Sequence, residues 1–198
     1  GIVYQSMIRP GISKQLKETF PQIHYSVFAR SETLPFTIQG KNDDGIMCTL
    51  VTANDDFLRM FAYEYVEGSP ESVIKNRGAI MSDETARKFF GKKSAIGETV
   101  NFGSSGTATF TISAVVKVPK NTHIQFDILS PLSNNEIFGG IHYIKLADGF
   151  AITPEFEAQI STFLSSSRET ENKLKLQPIR DIHLHSPKEI TDRSYGSL

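Results

Sequence analysis

Two stretches rich in turn-forming residues, each flanked by segments of alternating apolar and polar residues, constrain the fold of this chain most. The first stretch, residues 40–45, separates short segments at 36–38 and 46–52. The second, residues 103–106, is a Gly-Ser-Ser-Gly loop between segments 98–102 and 107–118. Alternation with period two is typical of strands, and glycine, asparagine and aspartate favour turns. The sequence therefore predicts two antiparallel β-hairpins.

Four segments carry helix signals. Residues 12–20 have apolar residues at helical spacing, with Ser13 as the predicted cap, and a helix of about two turns follows Asn54, which we expect to cap it. A third helix begins at Ser82 and ends at Gly91, since glycine tolerates the left-handed backbone found at helix ends. The fourth begins at Thr153, with proline in its first position. Its apolar stripe consists of Phe156, Ile160, Phe163 and Leu164.

Further strands are predicted at residues 23–27, 124–128, 141–146 and 174–184. The resulting order is helix, strands, small helix, strands, helix, strand. Such segregated runs of strands and helices are typical of the α+β class. The polar residues 186–198 form a tail that we expect to pack little.

Composition excludes several classes of protein. The 198 residues carry a formal net charge of -1, whereas a nucleic-acid-binding surface needs a basic excess. No apolar run approaches the ~20 residues that cross a bilayer, and the first residues lack the pattern of a signal peptide. Cys48 is the single cysteine, which excludes an internal disulfide and favours a small buried residue in a strand.

Few residues have the spacing that a catalytic, metal-binding or phosphate-binding site requires. His183 and His185, two apart on a predicted strand, share a face and could reach one metal, but no third ligand follows at a fixed spacing. The acid pairs at 43–44 and 55–56 lie where acids cap turns and helices. The loop 103–106 lacks the lysine and the helix of a phosphate-binding loop. We therefore assign no catalytic, cofactor-binding or metal-binding residue, and we expect no enzyme.

An ordered series of motifs resembles the MacB-like periplasmic core domain of ABC transporter permeases in the FtsX-like family. The segment AIMSDETARKFFG at 79–91 is similar to the family's "x-I-V-L-S-E-x-x-A-K-K-x-F-G", and PKNTHIQFD at 119–127 is similar to "P-x-N-S-H-I-x-F-D". The matches keep the family order over residues 20–185, although Ala114 replaces the usual glycine and 133–150 match poorly. Further similar segments lie at 52–61, 68–74, 95–100, 110–116 and 176–184.

The resemblance implies a fold of two lobes. A porter-like α/β lobe is built from both ends of the chain, with its first part at 1–62 and its second part at 121–185. A small, β-rich Sabre-like lobe is inserted between them at 63–120, and 186–198 form a juxtamembrane tail. The sequence pattern changes near Tyr63, and a predicted strand ends at 119–121, which agrees with these borders. We expect five residues to pack the inserted lobe and its hinge: Phe57, Phe61, Phe89, Phe90 and Gly91.

The resemblance also implies a function without chemistry. In the family, the domain lies between two transmembrane helices of a permease in the cell membrane and faces the periplasm. We therefore expect it to relay ATP-driven motion from the cytoplasmic ATP-binding subunit and to contact a periplasmic adaptor, a lipoprotein or exported cargo. A second permease copy is expected in the membrane, and no nucleic acid or cofactor is expected.

Two other hypotheses stay open from the sequence. The first is an extracytoplasmic sensor that binds a small ligand between the lobes, which requires a concave, partly apolar pocket. The aromatic residues Phe57, Phe61, Tyr63 and Tyr65 are core or contact residues under either hypothesis. The second is a metal-dependent enzyme that uses His183 and His185.

Overall fold

A computed structural model describes residues 2–6, 11–38, 45–102, 108–132, 140–166 and 176–179. The chain divides into two compact units, the first formed by Gly1–Phe28 with Glu136–Leu198 and the second by Ala29–Asn135. The lobe borders predicted at 62/63 and 120/121 both fall within the second unit. The assignment of porter-like and Sabre-like lobes stays a prediction.

The first unit combines antiparallel strands with two helices. Strand β1 (Ile2–Ser6) is followed by helix α1 (Ile12–Thr19) and strand β2 (Ile23–Ile38), which continues into the second unit. After the second unit come β9 (Gly140–Leu146), α5 (Pro154–Ser166) and β10 (Gln177–Pro178). Strand β1 pairs antiparallel with both β9 and β10.

One apolar cluster holds the first unit together. Helices α1 and α5 each contribute the apolar stripe that their sequences predict, and Phe20 packs edge-on against Phe156 and Phe163. Burial of these side chains from water is the main stabilising contribution. The buried members of the cluster are Ile12, Leu16, Phe20, Ile23, Ile144, Phe156, Ile160, Leu164 and Leu176.

The second unit is a mixed sheet with helices. Its elements in chain order are the end of β2, β3 (Ile46–Ala53), α2 (Asp56–Met60), β4 (Glu64–Gly68), α3 (Pro70–Asn76), β5 (Ala79–Ser82), α4 (Asp83–Phe90), β6 (Thr99–Phe102), β7 (Ala108–Lys117) and β8 (Ile128–Pro131). The strand order β2-β3-β8-β5-β7-β4 includes parallel pairs β3–β8 and β5–β7. Strand β6 pairs with both β2 and β7.

The two sides of this sheet carry different apolar groups. Met81 and Ile128 belong to a buried cluster with Ala86 and Phe89 of α4. Because successive side chains of a strand point to opposite faces, their neighbours Ile80 and Leu129 face the other side. There they lie beside Phe57 of α2 and Val73 of α3. The sheet of the second unit is therefore covered by α4 on one side and by α2 and α3 on the other.

Both predicted hairpins are confirmed by their strand pairing. Phe36 is opposite Ile46 in the β2–β3 pair, and Phe102 is opposite Ala108 in the β6–β7 pair. The loop residues 39–44 and 103–107 lie outside the described residues. The α+β class is confirmed, and so are helix α4, strand β9 and helix α5.

Four details of the sequence prediction are wrong. The strands predicted at 23–27 and 36–38 form one strand, β2, in which Pro35 pairs with Met47 of β3. Proline donates no N–H to a ladder, and the described pairing of β2 with β6 begins at the next residue, Phe36. The strand predicted at 124–128 begins only at Ile128.

The other two errors concern helix caps. Helix α1 begins one residue before Ser13, which is buried inside it, and Gly11 occupies the cap position. Helix α2 begins at Asp56 with Asp55 in the cap position, while the backbone carbonyl of Asn54 accepts the N–H of Phe57 at 3.0 Å.

Candidate functional site

Hydrogen bonds of Asp127 link three elements of the second unit, namely β3, β5 and α4. Its Oδ2 accepts the backbone N–H of Thr49 in β3 at 2.8 Å, and its Oδ1 accepts the hydroxyl of Thr85 in α4 at 2.5 Å. Its backbone N–H donates to the Thr49 carbonyl at 2.9 Å, and its carbonyl accepts the N–H of Ser82 at 2.8 Å. The four bonds hold the residue directly before β8, which begins at Ile128 and not at residue 124 as predicted. The carboxylate is thus held in place as a structural acceptor.

The cap of α4 continues this network. The hydroxyl of Ser82 accepts the N–H of Thr85 at 3.2 Å, as predicted for a helix cap, and donates to the Thr85 hydroxyl at 2.9 Å. Gly91 ends the helix with φ +66°, in the left-handed range that favours glycine. Local sequence signals therefore fix both ends of α4, and Asp127 anchors its first turn to the sheet.

A polar cavity of about 230 Å³ adjoins Asp127. Lys120 and Glu84 contribute charges of opposite sign to its wall, and the Gln125 amide donates to the carbonyls of Pro119 and Thr122 at 2.8 and 2.9 Å. The lining residues are Thr49, Ser82, Asp83, Glu84, Val118, Lys120, Gln125, Phe126 and Asp127. No cysteine or histidine is among them, and the Ser82 hydroxyl is engaged in the helix cap, so the wall offers no activated nucleophile.

Aromatic rings gather beside α2. Phe57 is buried, and its ring lies 4.9 Å from that of Phe61 and 6.1 Å from that of Tyr63. Tyr63 in turn meets Phe126 edge-on at 5.4 Å, and burial raises the pKa of its hydroxyl well above the usual range. Phe61 lies edge-on to His123 at 6.5 Å. The structure therefore places Phe57 and Phe61 in one cluster that packs α2 against the segment before β8.

Phe89 and Phe90 occupy a different place. Phe89 is buried in the cluster under α4, and Phe90 is half-buried against it, with ring centroids 6.0 Å apart. Gly91 follows directly and ends the helix. The five residues expected to pack an inserted lobe thus divide between two sides of one sheet.

An apolar groove lies between α2, α3 and the sheet, and we call it the α2–α3 groove. Its open volume is about 20 Å³. Ile74 at its edge is 39% exposed, and Arg77 borders it at the end of α3. The groove is lined by Ala53, Asn54, Asp55, Phe57, Leu58, Val73, Ile74, Arg77, Ile80, Leu129, Ser130 and Pro131. Sequence reasoning missed it because α3 was not predicted, although the Ser69-Pro70 start was a signal for a helix.

The histidines do not assemble a metal site in the described part of the chain. His24 is exposed on β2, and His142 is buried beside Phe28 with ring centroids 5.0 Å apart. Across residues 2–179, gaps excepted, no group of three or more His, Cys, Asp or Glu side chains could hold a metal ion. His183 and His185 lie outside the described residues, as do Asp43 and Asp44.

The remaining candidates have structural partners. Asp56 is buried and forms an ion pair with Arg59 at 3.2 Å, one turn along α2, whereas Asp55 is exposed in the cap position. Cys48 is buried in β3, as predicted, and burial raises the pKa of its thiol to about 12, with the Asp127 charge adding to the rise. A thiol of this pKa is not a nucleophile near neutral pH.

Comparison with known protein families decides the identity. A family described as "MacB-like periplasmic core domain" matches residues 5–163. The chain belongs to this family. The match extends over both structural units, and it confirms the resemblance that the ordered motifs indicate. A comparison with curated proteins found no match.

Solved structures show the same fold for this MacB-like domain. A structure described as a permease-protein domain from Porphyromonas gingivalis has a TM-score of 0.68 and 21% identity, covering 89% of this chain and 87% of that one. The periplasmic region of MacB from Actinobacillus actinomycetemcomitans has a TM-score of 0.67 and 13% identity, covering 98% and 93%. The extracellular domain of the noncanonic ABC-type transporter YknZ from Gram-positive bacteria has a TM-score of 0.65 and 12% identity, covering 90% and 100%.

These similarities place the chain among the periplasmic or extracellular domains of MacB-like permeases. None of the helices in the described part of this MacB-like domain has the length and apolar character that a bilayer crossing requires. The periplasmic and extracellular domains with which it shares its fold are parts of membrane transporters.

Proposed function

We propose that this MacB-like domain transmits ATP-driven conformational change across the membrane and contacts an adaptor, a lipoprotein or exported cargo. The observation that carries the proposal is the family match over residues 5–163, supported by the shared fold with three transporter domains. A transporter that hydrolyses ATP in the cytoplasm needs a body on the far side of the membrane that responds to it. This domain supplies that body.

The path of the chain suits such a role. It enters the second unit at 28/29, within strand β2, and returns from it at 135/136. A displacement of the first unit would therefore act on the second through two covalent connections, one of them a continuous strand. In the proposal, each structural unit moves as a body, because the packed clusters under α1 and α4 resist deformation.

The domain's contribution in this proposal is mechanical. The hydrogen-bonded side chains of Asp127, Thr85 and Ser82 hold α4 against the sheet. Such a network stabilises a rigid arrangement of α4 on the sheet. We accordingly propose no catalytic activity for the domain.

The partners follow from the transporter setting. We propose that the permease resides in the cell membrane with this domain on the periplasmic side, that it pairs with a second permease copy, and that a cytoplasmic ATP-binding subunit drives it. The contact on the far side is with a periplasmic adaptor or a lipoprotein. With a net charge of -1, the domain lacks the overall basic excess that is typical of nucleic-acid-binding proteins.

The experiment that tests this function uses the full permease with its ATP-binding subunit in liposomes. Residues 29–135, the second unit, are replaced by a short Gly-Ser linker. We expect ATP hydrolysis to continue without productive export, because the motor is intact and its far-side body is shortened. Export at the unaltered rate by the shortened permease would refute the proposal.

The ligand-sensing alternative gains little from the cavities. The polar cavity beside Asp127 has about 230 Å³, less than the roughly 300–1,000 Å³ typical of ligand sites. Its wall is charged and polar, whereas ligand sites are mostly apolar with a few polar groups. We therefore favour the transmission role.

A further inference from the structure

The α2–α3 groove has the form of a receptor for one apolar side chain. Phe57 and Val73 are buried in its wall, while Leu58 and Ile74 stand at its edge with part of their surface exposed. The hollow of about 20 Å³ is large enough for roughly one water-sized group. A bound water needs two to four polar partners, and the wall is mainly apolar. The hollow therefore favours the end of an apolar side chain over water.

Arg77 gives the edge of the groove a fixed positive charge. Its backbone has φ +48°, a left-handed conformation that is unusual for a residue other than glycine. One guanidinium N–H donates to the carbonyl of Leu132 at 2.9 Å. The next residue, Gly78, is buried against Ser113 of β7. The guanidinium is thus preorganised at the groove before any partner arrives.

The same guanidinium has capacity for a partner. It carries five N–H groups and is exposed, so it can bind a carboxylate while it keeps the bond to Leu132. Among the residues that line the groove, Arg77 carries the positive charge and Asp55 the negative one. A carboxylate next to the apolar side chain complements this arrangement of charge.

We propose that the α2–α3 groove binds a protein segment in which one branched apolar side chain is followed, one or two residues on, by an acidic residue. The apolar side chain fills the hollow between Phe57 and Val73, and the carboxylate pairs with Arg77. This inference rests on the proposed function, since it names the surface with which the domain contacts its extracytoplasmic partner.

The size of the hollow favours a protein segment over a lipid chain. A lipid chain is retained by burying many methylene groups, so it needs a long cleft. A hollow of about 20 Å³ holds only the end of one short side chain. The affinity must then come from the neighbouring charge pair and from backbone contacts, which a peptide provides.

A library of random seven-residue peptides displayed on phage and selected on the 198-residue chain tests the proposal. We expect enrichment of Leu or Ile followed by Asp or Glu at a fixed short spacing. With Arg77→Glu as the target, we expect the acidic position to change to Lys or Arg. The best acidic peptide, made synthetically, should bind Arg77→Glu roughly fivefold to tenfold more weakly than the unaltered chain.

Two further variants distinguish peptide binding in the groove from nonspecific hydrophobic binding. Ile74→Asp places a charge at the apolar edge and should abolish binding of the selected peptide. Ile96→Asp is the matched control, because Ile96 is also about 40% exposed in the second unit but does not line the groove. Binding by Ile96→Asp should equal that of the unaltered chain. Circular dichroism establishes that each variant is folded, and Arg77→Gln, which removes the charge alone, replaces Arg77→Glu if that variant unfolds.

The proposal is overturned if the selected peptides lack an acidic residue, or if Arg77→Glu and Arg77→Gln leave the preference unchanged. Binding to phosphatidylcholine–phosphatidylglycerol vesicles that Ile74→Asp abolishes, with no peptide enriched, would also overturn it in favour of a lipid surface. Loss of export in the shortened permease together with failed peptide selection would refute the groove and leave the transmission role standing. Unaltered export by the shortened permease together with successful peptide selection would refute the transmission role and leave the groove standing as a binding site.

Discussion

Gly78 lies so close to Ser113 of β7 that a β-carbon on Gly78 would come within 1.9 Å of the Ser113 hydroxyl oxygen and 2.7 Å of its β-carbon. The other end of α3 meets the same residue. Gly68, at φ +75°, would place a β-carbon 2.4 Å from the Ser113 carbonyl oxygen, and the Ser72 hydroxyl donates to that oxygen at 3.0 Å. Helix α3 is therefore fastened at both ends to a single residue of the sheet.

This close approach predicts that Gly78→Ala destabilises the domain. The added methyl group would overlap Ser113 and crowd the Thr111 carbonyl at 3.0 Å, so the helix and the strand must separate. Overpacking of this kind costs about 1–3 kcal/mol in the free energy of unfolding. Urea denaturation followed by circular dichroism measures the change.

Gly11→Ala is the matched control for that prediction. Gly11 has φ -64°, and a β-carbon there meets no atom within 4 Å. Its free energy of unfolding should change by less than about 0.5 kcal/mol. The double variant Gly78→Ala with Ser113→Gly should recover part of the loss, because the overlapping atoms are gone. Equal stability of Gly78→Ala and the unaltered chain would show that α3 does not approach Ser113 this closely.

The hydrogen bonds of Asp127 predict that Asp127→Asn also destabilises the domain. In Asp127→Asn, the amide oxygen can accept only one of the two donors, and the amide N–H₂ group faces the other. The N–H of Thr49 or the hydroxyl of Thr85 then lacks an acceptor, which costs about 1–3 kcal/mol in the free energy of unfolding.

The exposed Asp148→Asn makes the same chemical change without these contacts and should alter the free energy of unfolding by less than about 0.5 kcal/mol. Urea denaturation of both variants gives the comparison. An Asp127→Asn variant no less stable than Asp148→Asn would mean that the carboxylate does not fasten α4 to β3.

The buried thiol of Cys48 is expected to react with a thiol reagent only when the chain unfolds. Its thiol is buried in β3 and its pKa is raised to about 12, so almost no thiolate exists and no reagent reaches it at pH 8. We expect Ellman's reagent to label the native chain only at the rate of unfolding, and to label it at once in concentrated urea. Raising the pH from 8 to 10 should leave native labelling slow. Rapid stoichiometric labelling of the native chain would contradict the burial of β3.

Local chemistry explains which parts of the fold the sequence predicts. Helix α5 follows from Thr153, whose hydroxyl accepts the N–H of Phe156 at 3.2 Å, and from the stripe of apolar residues behind it. Helix α4 follows in the same way from Ser82 and Gly91. Each signal lies within the element that it specifies, so a single sequence is enough to find it.

Long-range partners explain what the sequence does not predict. Asp127 is hydrogen-bonded to Thr49 and Thr85, which lie 78 and 42 positions away along the chain. Nothing in the segment around Asp127 identifies these partners. The α2–α3 groove likewise depends on the meeting of α2, α3, β5 and β8, and α3 was missed. Its first turn did carry a signal, because Ser69 and Ser72 form a reciprocal cap. Prediction of the helix would still not have placed Arg77 beside Leu129.

The central claim is that this body moves when the permease binds ATP, and distances between spin labels test it most directly. The label is attached at Met47→Cys, a position that is 61% exposed on β3, after the buried cysteine is removed by Cys48→Ala. Pulsed electron resonance then measures the distance between the two copies in the full permease with its ATP-binding subunit in liposomes. The account predicts different distance distributions for the nucleotide-free and ATP-bound states. Identical distributions in a preparation that hydrolyses ATP and exports its cargo would contradict it.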